Sequence, residues 1–461
     1  MDIKDNYIKV KDLEAVVERQ RLHIMQLEST ILSLESTNLK LESIVLKLEQ
    51  RITDLERRLK LNSHTSNKPP SSDGLRKKPT PVSLRSKGEL PSGGQVGHKG
   101  STLEQEPVPT AIISHLVTTC RDCGLSLSDA AIEKITKRQV FDIPAPQIVV
   151  TEHQVVSKRC CCGSITTSCF PAAITAPVQY GPRIKSLAVY LMNQQFIPED
   201  RLQHLFQDVF SLPISTATLA NVNTVFADKV SNKQTAVLEA LKLSPVKHLD
   251  ETGFRIGGKT QWLHVISNQN ATHYHVSAKR GHLLTGLSDT IVHDHWKPYF
   301  TIPDVQHGLC NAHHLRELKA LEELEGENWA ARMGRLLRFS NKIKGAYDRI
   351  SKVYDRIIKD GLAFHDRHPP LAGRKKRTGH NLLLRLQSFK ESVLRFYTDP
   401  IVPFTNNQAE QDLRMMKVKQ KISGGFRTTK GAECFATIRG FISTKVKQNL
   451  NAFQVIQAEW G

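Results

Sequence analysis

The sequence lacks any run of about 18 apolar residues, the minimum that would span a bilayer. It has eight cysteines in 461 residues, too few for a fold held together by disulfide bonds. Its first residues, Met1-Asp2-Ile3-Lys4-Asp5, show no apolar stretch followed by small residues, so no secretory signal is expected. We therefore expect an intracellular protein with no membrane partner, whose cysteines bind metal or stay reduced.

Acidic residues are scarce relative to basic ones, with 45 against 64 and a formal net charge of +19. Such a surplus favours a polyanionic partner, and nucleic acid is the first candidate. The alternative is a charge that only keeps the protein in solution. The hydrophobic fraction of 39% is enough for folded cores, and the length corresponds to roughly three domains.

Residues 8–61 contain neither proline nor glycine and repeat apolar side chains every seven residues. Position a holds Val17, Ile24, Ile31, Asn38, Val45, Ile52 and Leu59, and position d holds Leu13, Gln20, Leu27, Leu34, Leu41, Leu48 and Leu55. β-Branched residues at a and leucine at d favour a parallel two-stranded coiled coil, and Asn38 would fix its register. The pattern predicts a homodimer through this helix, with an amphipathic helix packed on its own domain as the alternative.

Residues 62–105 are rich in proline, glycine and polar side chains, which predicts a flexible basic linker. Its lysines and arginines either touch a phosphate backbone or keep the linker solvated. The following segment, 106–172, contains two cysteine clusters, Cys120-Arg121-Asp122-Cys123-Gly124 and Cys160-Cys161-Cys162-Gly163.

Two such clusters with strands between them, expected at 139–144 and 148–158, describe a zinc ribbon. The best ligand set is Cys120, Cys123, Cys160 and Cys162. Cys169 is a possible fourth ligand instead, because the second cluster has irregular spacing. Reduced cysteines in a small core are the alternative.

Residues 173–242 show helical periodicity over 183–196, 200–210 and 216–242. Ser215 is placed to cap the last of these helices, with Thr216 and Thr218 at its start. This arrangement is compatible with a helix-turn-helix that reads DNA. Any helical hairpin gives the same pattern, so the segment is predicted only as a helical DNA-binding region.

From residue 245 the pattern changes to short strands, expected at 246–249, 261–267, 272–277 and 290–293, with a helix-like stretch at 282–288 before the last. Three strands, a helix and a fourth strand make up the start of a ribonuclease-H-like fold, in which the first and fourth strands are neighbours at the sheet centre. Asp250 lies on the first strand and Asp294 ends the fourth. The sequence therefore brings two carboxylates to one end of the sheet centre.

A third carboxylate is expected on a later helix, and Glu410 in Asn406-Asn407-Gln408-Ala409-Glu410 is the candidate. The asparagine pair is placed to cap a helix that continues over 409–418. Carboxylate oxygens are the ligands that Mg²⁺ and Mn²⁺ prefer. Glu251 is the rival of Asp250, but neighbouring strand residues point to opposite faces. Singly, each acid could instead cap a turn, pair with a histidine or favour a helix start.

The ribonuclease-H-like core is predicted over 243–320 and 401–440, interrupted by a basic α-helical insertion at 321–400 and followed by a C-terminal helix at 441–461. Residues 332–400 carry 17 basic and 6 acidic side chains, which favours DNA binding. Further candidate phosphate contacts follow Glu410: Arg414, Lys417, Lys419, Lys421 and Arg427. The loop 423–427 is expected close to the metal site, with its glycines approaching a phosphate, and a solvated basic face is the alternative.

Over nearly its whole length the chain resembles the transposases of the insertion sequence 66 family, a branch of the DDE transposases. The order and spacing of several short motifs carry the resemblance. They are Asn67-Lys68-Pro69-Pro70-Ser71-Ser72-Asp73, Gly93-Gly94-Gln95-Val96-Gly97-His98-Lys99-Gly100, Tyr180-Gly181-Pro182, Asp250-Glu251-Thr252, Val292-His293-Asp294, Cys310-Asn311-Ala312-His313 and Asn406-Asn407-Gln408-Ala409-Glu410. His295 and Gln411 depart from the family pattern, which often has Gly and Arg there.

The resemblance implies that Asp250, Asp294 and Glu410 are a catalytic triad for Mg²⁺ or Mn²⁺. It also implies that Cys310 and His313 are an accessory C-x-x-H motif, for which a buried cysteine and a satisfied histidine are the alternative. The expected reaction is cleavage at the element ends and joining of the freed 3′-OH to target DNA. Expected partners are the terminal repeats, target DNA, a second subunit and element-encoded helper proteins, in bacterial cytoplasm at the nucleoid. The rival functions are a non-catalytic DNA-binding or architectural protein, and a ribonuclease-H-like nuclease that cuts without joining.

Overall fold

The computed structural model describes residues 3–60, 103–343, 345–369 and 376–460. Most of the predicted linker, 62–105, lies outside these ranges. Helix α1 spans Ile3–Lys60, and the side chains described at its heptad positions are exposed, with Leu34 and Leu41 each more than half accessible. None of the helices in the described ranges combines the length and apolar character that a bilayer span needs.

The cysteine segment holds one short antiparallel hairpin, β1 (Ser157–Arg159) and β2 (Ile165–Thr167). The strand expected at 139–144 is wrong, and of the one expected at 148–158 only the last two residues are in β1. Val140 and Val149 are 92% and 86% exposed. The alternating apolar residues of these segments suit a strand, but no opposing layer covers their side chains. The local pattern alone therefore does not make the segments pair as strands.

Three helices follow, α2 (Pro182–Asn193), α3 (Glu199–Phe210) and α4 (Thr216–Lys242). Ser215 caps α4 as expected, because its Oγ accepts the backbone N–H of Thr218 at 3.1 Å. The expected helix 183–196 ends early, at Asn193, and Phe196 has a left-handed φ of 59°. Leu202, Phe206 and Leu219 are fully or almost fully buried, so these helices have an apolar core.

The central element is a five-stranded sheet made of β3 (Val246–Ile256), β4 (Lys259–Ser267), β5 (Thr272–Ser277), β6 (Thr290–His293) and β7 (Gln306–Leu309). Its order is β5-β4-β3-β6-β7; the first three strands are antiparallel, and β6 and β7 run parallel to β3. The expected pairing of the first and fourth strands at the sheet centre is confirmed. The helix expected at 282–288 is wrong: this segment is a loop in which Gly286 has a φ of 71°.

Helices cover the rest of the chain. Five are α5 (Asn311–Glu325), α6 (Asn328–Lys342), α7 (Tyr347–Arg367), α8 (Thr378–Ser388) and α9 (Lys390–Thr398). They share an apolar core that includes Trp329, Tyr354 and Leu383. Then come α10 (Asn407–Ser423), α11 (Thr429–Lys447) and α12 (Ala452–Glu459), so the helix expected at 441–461 is in fact the end of α11 followed by α12. Thr444 on α11 bonds both the N–H and the carbonyl of Thr272, which fixes this helix on β5.

Candidate metal and nucleic-acid site

Two of the predicted carboxylates have equivalent positions on neighbouring parallel strands. The ladder between β3 and β6 pairs Val246 with Thr290 and His248 with Val292, and Asp250 and Asp294 stand equally far beyond the last of these pairs. Each carboxylate accepts a backbone N–H at 2.9 Å, Asp250 from Glu251 and Asp294 from Trp296. The fold thus brings both acids to the same end of the sheet centre.

The electrostatics at this pair favour a cation. Burial raises the pKa of Asp250 well above its ordinary value, and the nearby charges of Glu251, Asp294 and Glu410 raise it further. Burial also raises the pKa of Asp294, against a lowering effect of its hydrogen bond from Trp296. Carboxylates that repel one another in a poorly solvated place are the donors that a divalent cation stabilises, so this group fits Mg²⁺ or Mn²⁺.

Glu251, the rival of Asp250, has partners of its own. Arg280 donates to its Oε1 from Nε at 2.8 Å and from Nη2 at 2.5 Å, and the Tyr299 hydroxyl donates to Oε2. The Glu251 side chain is 1% exposed. Arg280 also lies over the ring of Trp296, 4.3 Å from its centroid. Glu251 is therefore held in an ion pair with Arg280. Its neighbour Asp250 has no cationic partner among the described contacts.

The third acid, Glu410, is on the first turn of α10, and Asn406 ties that helix to the sheet. Asn406 Nδ2 donates to the carbonyl of Leu249 at 2.8 Å, and its Oδ1 accepts the Nδ1–H of His248 at 2.8 Å. Asn406 has the N-cap position of α10, but its side chain makes no capping hydrogen bond. The expected cap is thus replaced by a bond to β3, which places Glu410 beside the strand of Asp250.

Glu410 is close to the C-x-x-H motif at the start of α5. Its Oε1 lies 3.8 Å from Cys310 Sγ and 3.9 Å from His313 Nδ1, and its Oε2 lies 3.9 Å from Arg316 Nη2. Burial raises the pKa of Cys310 to about 12, with Glu410 adding to the effect. Burial lowers the pKa of His313 to about 4, against the opposing charge of Glu410.

Cys310, His313 and Glu410 each offer one atom that can bind a metal. Within the described ranges, these three atoms form a set in which each lies within 4.8 Å of the others. The ligand oxygens of Asp250, Asp294 and Glu410 do not all lie within 4.8 Å of one another. The structure therefore brings the C-x-x-H motif and Glu410 together as a compact donor set, which it does not do for the three predicted carboxylates.

The side chains predicted to contact phosphate differ in their exposure and in their contacts within the protein. Arg414, Lys417, Lys421 and Arg427 are exposed, but the Lys417 ammonium donates to the carbonyl of Gly253 at 2.9 Å and partial desolvation lowers its pKa. Lys419 is half-buried and engaged in contacts of its own. The basic face after Glu410 is thus partly committed to the fold.

The loop 423–427 does not lie where it was expected. Phe426 N–H donates to the carbonyl of Arg255 at 2.9 Å, and Phe426 forms a bridge with Ile256. A Cβ on Gly425 would lie 2.6 Å from the Arg255 carbonyl oxygen. The loop is therefore held at the far end of β3, away from Asp250. Gly425 allows close approach to the backbone of β3 rather than to a phosphate.

The cysteine clusters form two similar turns. Gly124 N–H donates to the Cys120 carbonyl at 3.1 Å and Gly163 N–H to the Cys160 carbonyl at 2.9 Å, and both glycines have a positive φ. Hydrogen bonds from the backbone of Cys123 and Cys162 lower the pKa of Cys120 and Cys160 respectively, which favours thiolates and suits zinc. Among the described residues, the four predicted ligands do not come within 4.8 Å as one set.

Two residues that complete the site, Arg280 and Tyr299, were not predicted; both bind Glu251 from distant parts of the sequence. Asn406 was predicted only as a helix cap, and its bond to Leu249 was not foreseen. Arg316 had a local signal, because it lies one helical turn after His313 and so shares its face of α5.

Comparison with known families agrees with these features. The model described as "Transposase IS66 family" matches residues 177–434, more than half of the chain. The model of the zinc-finger binding domain of transposase IS66 matches residues 118–163, which include both cysteine turns, and a family of unknown function matches residues 9–104. No curated protein matches the chain. The chain belongs to the IS66 family of transposases, as an enzyme that acts on DNA and carries a zinc-binding domain.

Proposed function

We propose that this transposase cuts DNA at the ends of its element and joins the freed 3′-OH to target DNA, with Asp250, Asp294 and Glu410 as the ligands of its catalytic metal ions. The observation that carries this proposal is the equivalent position of Asp250 and Asp294 on the parallel strands β3 and β6. The bond from Asn406 to Leu249 supports the third ligand, because it sets the helix of Glu410 against β3.

The sheet supports a ribonuclease-H-like core. Its order β5-β4-β3-β6-β7 puts three antiparallel strands first and two parallel strands after them. Asp250 lies two residues beyond the last pair of the parallel β3–β6 ladder, and Asp294 directly follows β6, so both acids lie where the parallel pairing ends. The core would comprise residues 243–320 and 401–440, with the basic helices of 321–400 inserted between them.

The chemistry follows from the donor set. Mg²⁺ or Mn²⁺, when bound, would activate the attacking oxygen and offset charge that develops on the phosphate. The raised pKa of Asp250 means that this carboxyl group keeps its proton more readily without a cation nearby. Arg280 forms an ion pair with Glu251 and so keeps this fourth carboxylate out of the ligand set. Arg414, Lys421 and Arg427 would bind the DNA backbone, with Lys417 and Lys419 as lesser contacts.

The amino-terminal half would recognise and pair DNA ends. A zinc ribbon over 106–172 would use Cys120, Cys123, Cys160 and Cys162, or Cys169 in place of one of them, and the helices of 173–242 would add DNA contacts. Helix α1 would form a parallel coiled-coil dimer, which the exposure of Leu34 and Leu41 supports. Two subunits suit a reaction on two element ends, and helper proteins encoded by the element would complete the assembly.

The test is metal-dependent cleavage and joining of DNA that carries the terminal repeats. Asp250→Asn, Asp294→Asn and Glu410→Gln should each abolish product in Mg²⁺ and Mn²⁺ while DNA binding is kept. Glu391→Gln, at an exposed acid on α9, is the matched control and should cut and join normally. Cleavage that survives all three substitutions would refute the triad. Hydrolysis without joining would identify a nuclease, and binding without cleavage by the unsubstituted protein would identify an architectural protein.

A further inference from the structure

We propose that Cys310, His313 and Glu410 form a binding site for one zinc-class divalent ion, distinct from the carboxylate site of Asp250 and Asp294. The proposal of a metal site depends only on the geometry of these three side chains. Its effect on DNA cleavage, argued last, rests on the proposed function, because Glu410 belongs to both sites.

The distances are close to those of a tetrahedral centre. Cys310 Sγ and His313 Nδ1 lie 3.8 Å and 3.9 Å from the same Glu410 oxygen, Oε1. Around zinc, bonded to sulfur at about 2.3 Å and to nitrogen or oxygen at about 2.0–2.1 Å, such ligand atoms are about 3.4–3.6 Å apart. Cys310 Sγ and His313 Nδ1 lie within 4.8 Å of each other. Small side-chain movements, of up to about 1 Å, would therefore complete the site.

The three donors are held by structured backbone. Cys310 is the N-cap residue of α5 and His313 is on its first turn, where its N–H donates to the Cys310 carbonyl at 3.2 Å. Glu410 is on the first turn of α10, which Asn406 ties to β3. Ligands on helix starts that are already fixed lose little freedom when an ion binds, so the site is pre-organised.

Two further contacts point to a ligand. His313 Nδ1 is buried and has no hydrogen-bond partner among the described residues, which is a costly state for a polar atom. A bound ion would satisfy it. The backbone N–H of Asn406 donates to Cys310 Sγ at 3.2 Å, the kind of outer contact that supports a ligating thiolate.

The donor types select the ion. One sulfur, one imidazole nitrogen and one carboxylate oxygen suit Zn²⁺ or Co²⁺, whereas Mg²⁺ requires oxygen ligands in octahedral geometry. Binding would release the thiol proton of Cys310 to solvent, and water would fill the fourth position of the tetrahedron. This site and the neighbouring aspartates would thus prefer different metals.

Cobalt binding to the full-length protein tests the site directly. The ribbon is first disabled by serine substitutions at all six of its cysteines, Cys120, Cys123, Cys160, Cys161, Cys162 and Cys169, so that thiolate-to-cobalt charge-transfer absorption reports other thiolate sites. Absorption with about one Co²⁺ per chain, competed away by Zn²⁺, is expected to remain in this background. Adding Cys310→Ser should remove it, and adding His313→Gln should weaken binding at least tenfold. Cys434→Ser, at a half-buried cysteine on α11, is the matched control and should leave it unchanged.

Absorption that is missing in the ribbon-disabled protein, or that persists after Cys310→Ser, would overturn the proposal. A second readout concerns function: Zn²⁺ added to a Mg²⁺-supported cleavage reaction should inhibit it, because zinc holds Glu410. The fractional inhibition should fall at least tenfold in Cys310→Ser, and equal inhibition in both proteins would refute the shared role of Glu410. If no DNA is cleaved under any condition, the proposed function fails, while the cobalt absorption still decides the metal site.

Discussion

Asn406 Nδ2 lies 2.8 Å from the carbonyl oxygen of Leu249, the residue directly before Asp250. A single buried amide therefore connects the helix of Glu410 to the strand of Asp250. The same side chain accepts the Nδ1–H of His248, so both of its polar atoms are bonded to β3. The relative position of two proposed ligands depends on this residue more than on any helix cap.

Replacing Asn406 with alanine should weaken both the fold and the activity. Asn406 is 1% exposed, and its removal leaves a buried carbonyl and a buried histidine nitrogen without partners. The expected cost is about 1–3 kcal/mol of unfolding free energy, measured as a lower urea midpoint. DNA cleavage should fall at least tenfold under conditions where the variant is still folded. Asn407→Ala, at the exposed neighbour, is the control. Equal effects of the two substitutions would contradict this role.

The ion pair between Lys447 and Asp412 fixes α10 against α11. Lys447 Nζ lies 2.8 Å from Asp412 Oδ2, and the side chains are 13% and 8% exposed. Lys447→Met would leave a buried carboxylate without its ion-pair partner, which should cost about 3 kcal/mol in a denaturant titration. Lys430→Met, at the exposed start of α11, should change stability little. Adding Asp412→Leu to Lys447→Met should restore part of the loss, and a further loss would show that the pair is not the cause.

The sequence predicts elements well where a local pattern decides them. The expected ranges 216–242, 272–277 and 290–293 coincide with α4, β5 and β6, because each has strong periodicity bounded by turn or capping residues. Strand β7 was missed, since Gln306–Leu309 is short and contains a glycine. The glycine suits close packing there, because a Cβ on Gly308 would lie 3.0 Å from the Val402 side chain.

The candidate site divides in the same way. Asp250 and Asp294 could be predicted from the strand pattern and from the order of the strands along the chain, both of which are read directly from the sequence. The bond between Asn406 and Leu249 joins residues 157 positions apart, so it depends on how α10 is placed on the sheet. The approach of Cys310 and His313 to Glu410 likewise depends on two helix starts meeting in space, which no periodicity encodes.

Gly425 should not tolerate a side chain. A Cβ there would lie 2.6 Å from the Arg255 carbonyl oxygen, which accepts the Phe426 N–H. Gly425→Ala must displace the loop from the end of β3 and should lower the unfolding free energy by about 1–3 kcal/mol. Gly281→Ala is the matched control, because a Cβ there meets nothing within 4 Å. Thermal unfolding of both variants would decide, and an unchanged midpoint in Gly425→Ala would show that the loop does not hold this contact.

Two buried histidines should make the fold sensitive to acid. Burial lowers the pKa of His264 and of His273 to about 4, whereas an unfolded histidine titrates near pH 6.5. Between these values the unfolded chain binds more protons, so their contribution to stability is complete above about pH 6.5 and is lost as the pH falls toward about 4.

The double variant His264→Gln/His273→Gln should therefore lose less stability than the parent when the pH is lowered from about 7 to about 5. Urea midpoints at the two pH values measure this difference. His368→Gln, at an exposed histidine on the surface after α7, should keep the slope of the parent. A double variant with the parent's slope would mean that other groups cause the acid sensitivity.

The heptad pattern of α1 makes a prediction about assembly. Leu34 and Leu41 are at consecutive d positions and are 58% and 53% exposed in the single chain, an exposure that a coiled-coil partner would remove. Leu34→Asp/Leu41→Asp would place charges in that seam and should convert the dimer to a monomer in light scattering. Ser36→Asp/Ser43→Asp adds the same charge on the outer face of the helix and should leave the dimer intact. Since the proposed reaction requires two element ends to be held together, the leucine variant should also lose paired-end joining while each subunit still binds DNA. A dimer that survives the leucine changes would place the subunit contact elsewhere in the chain.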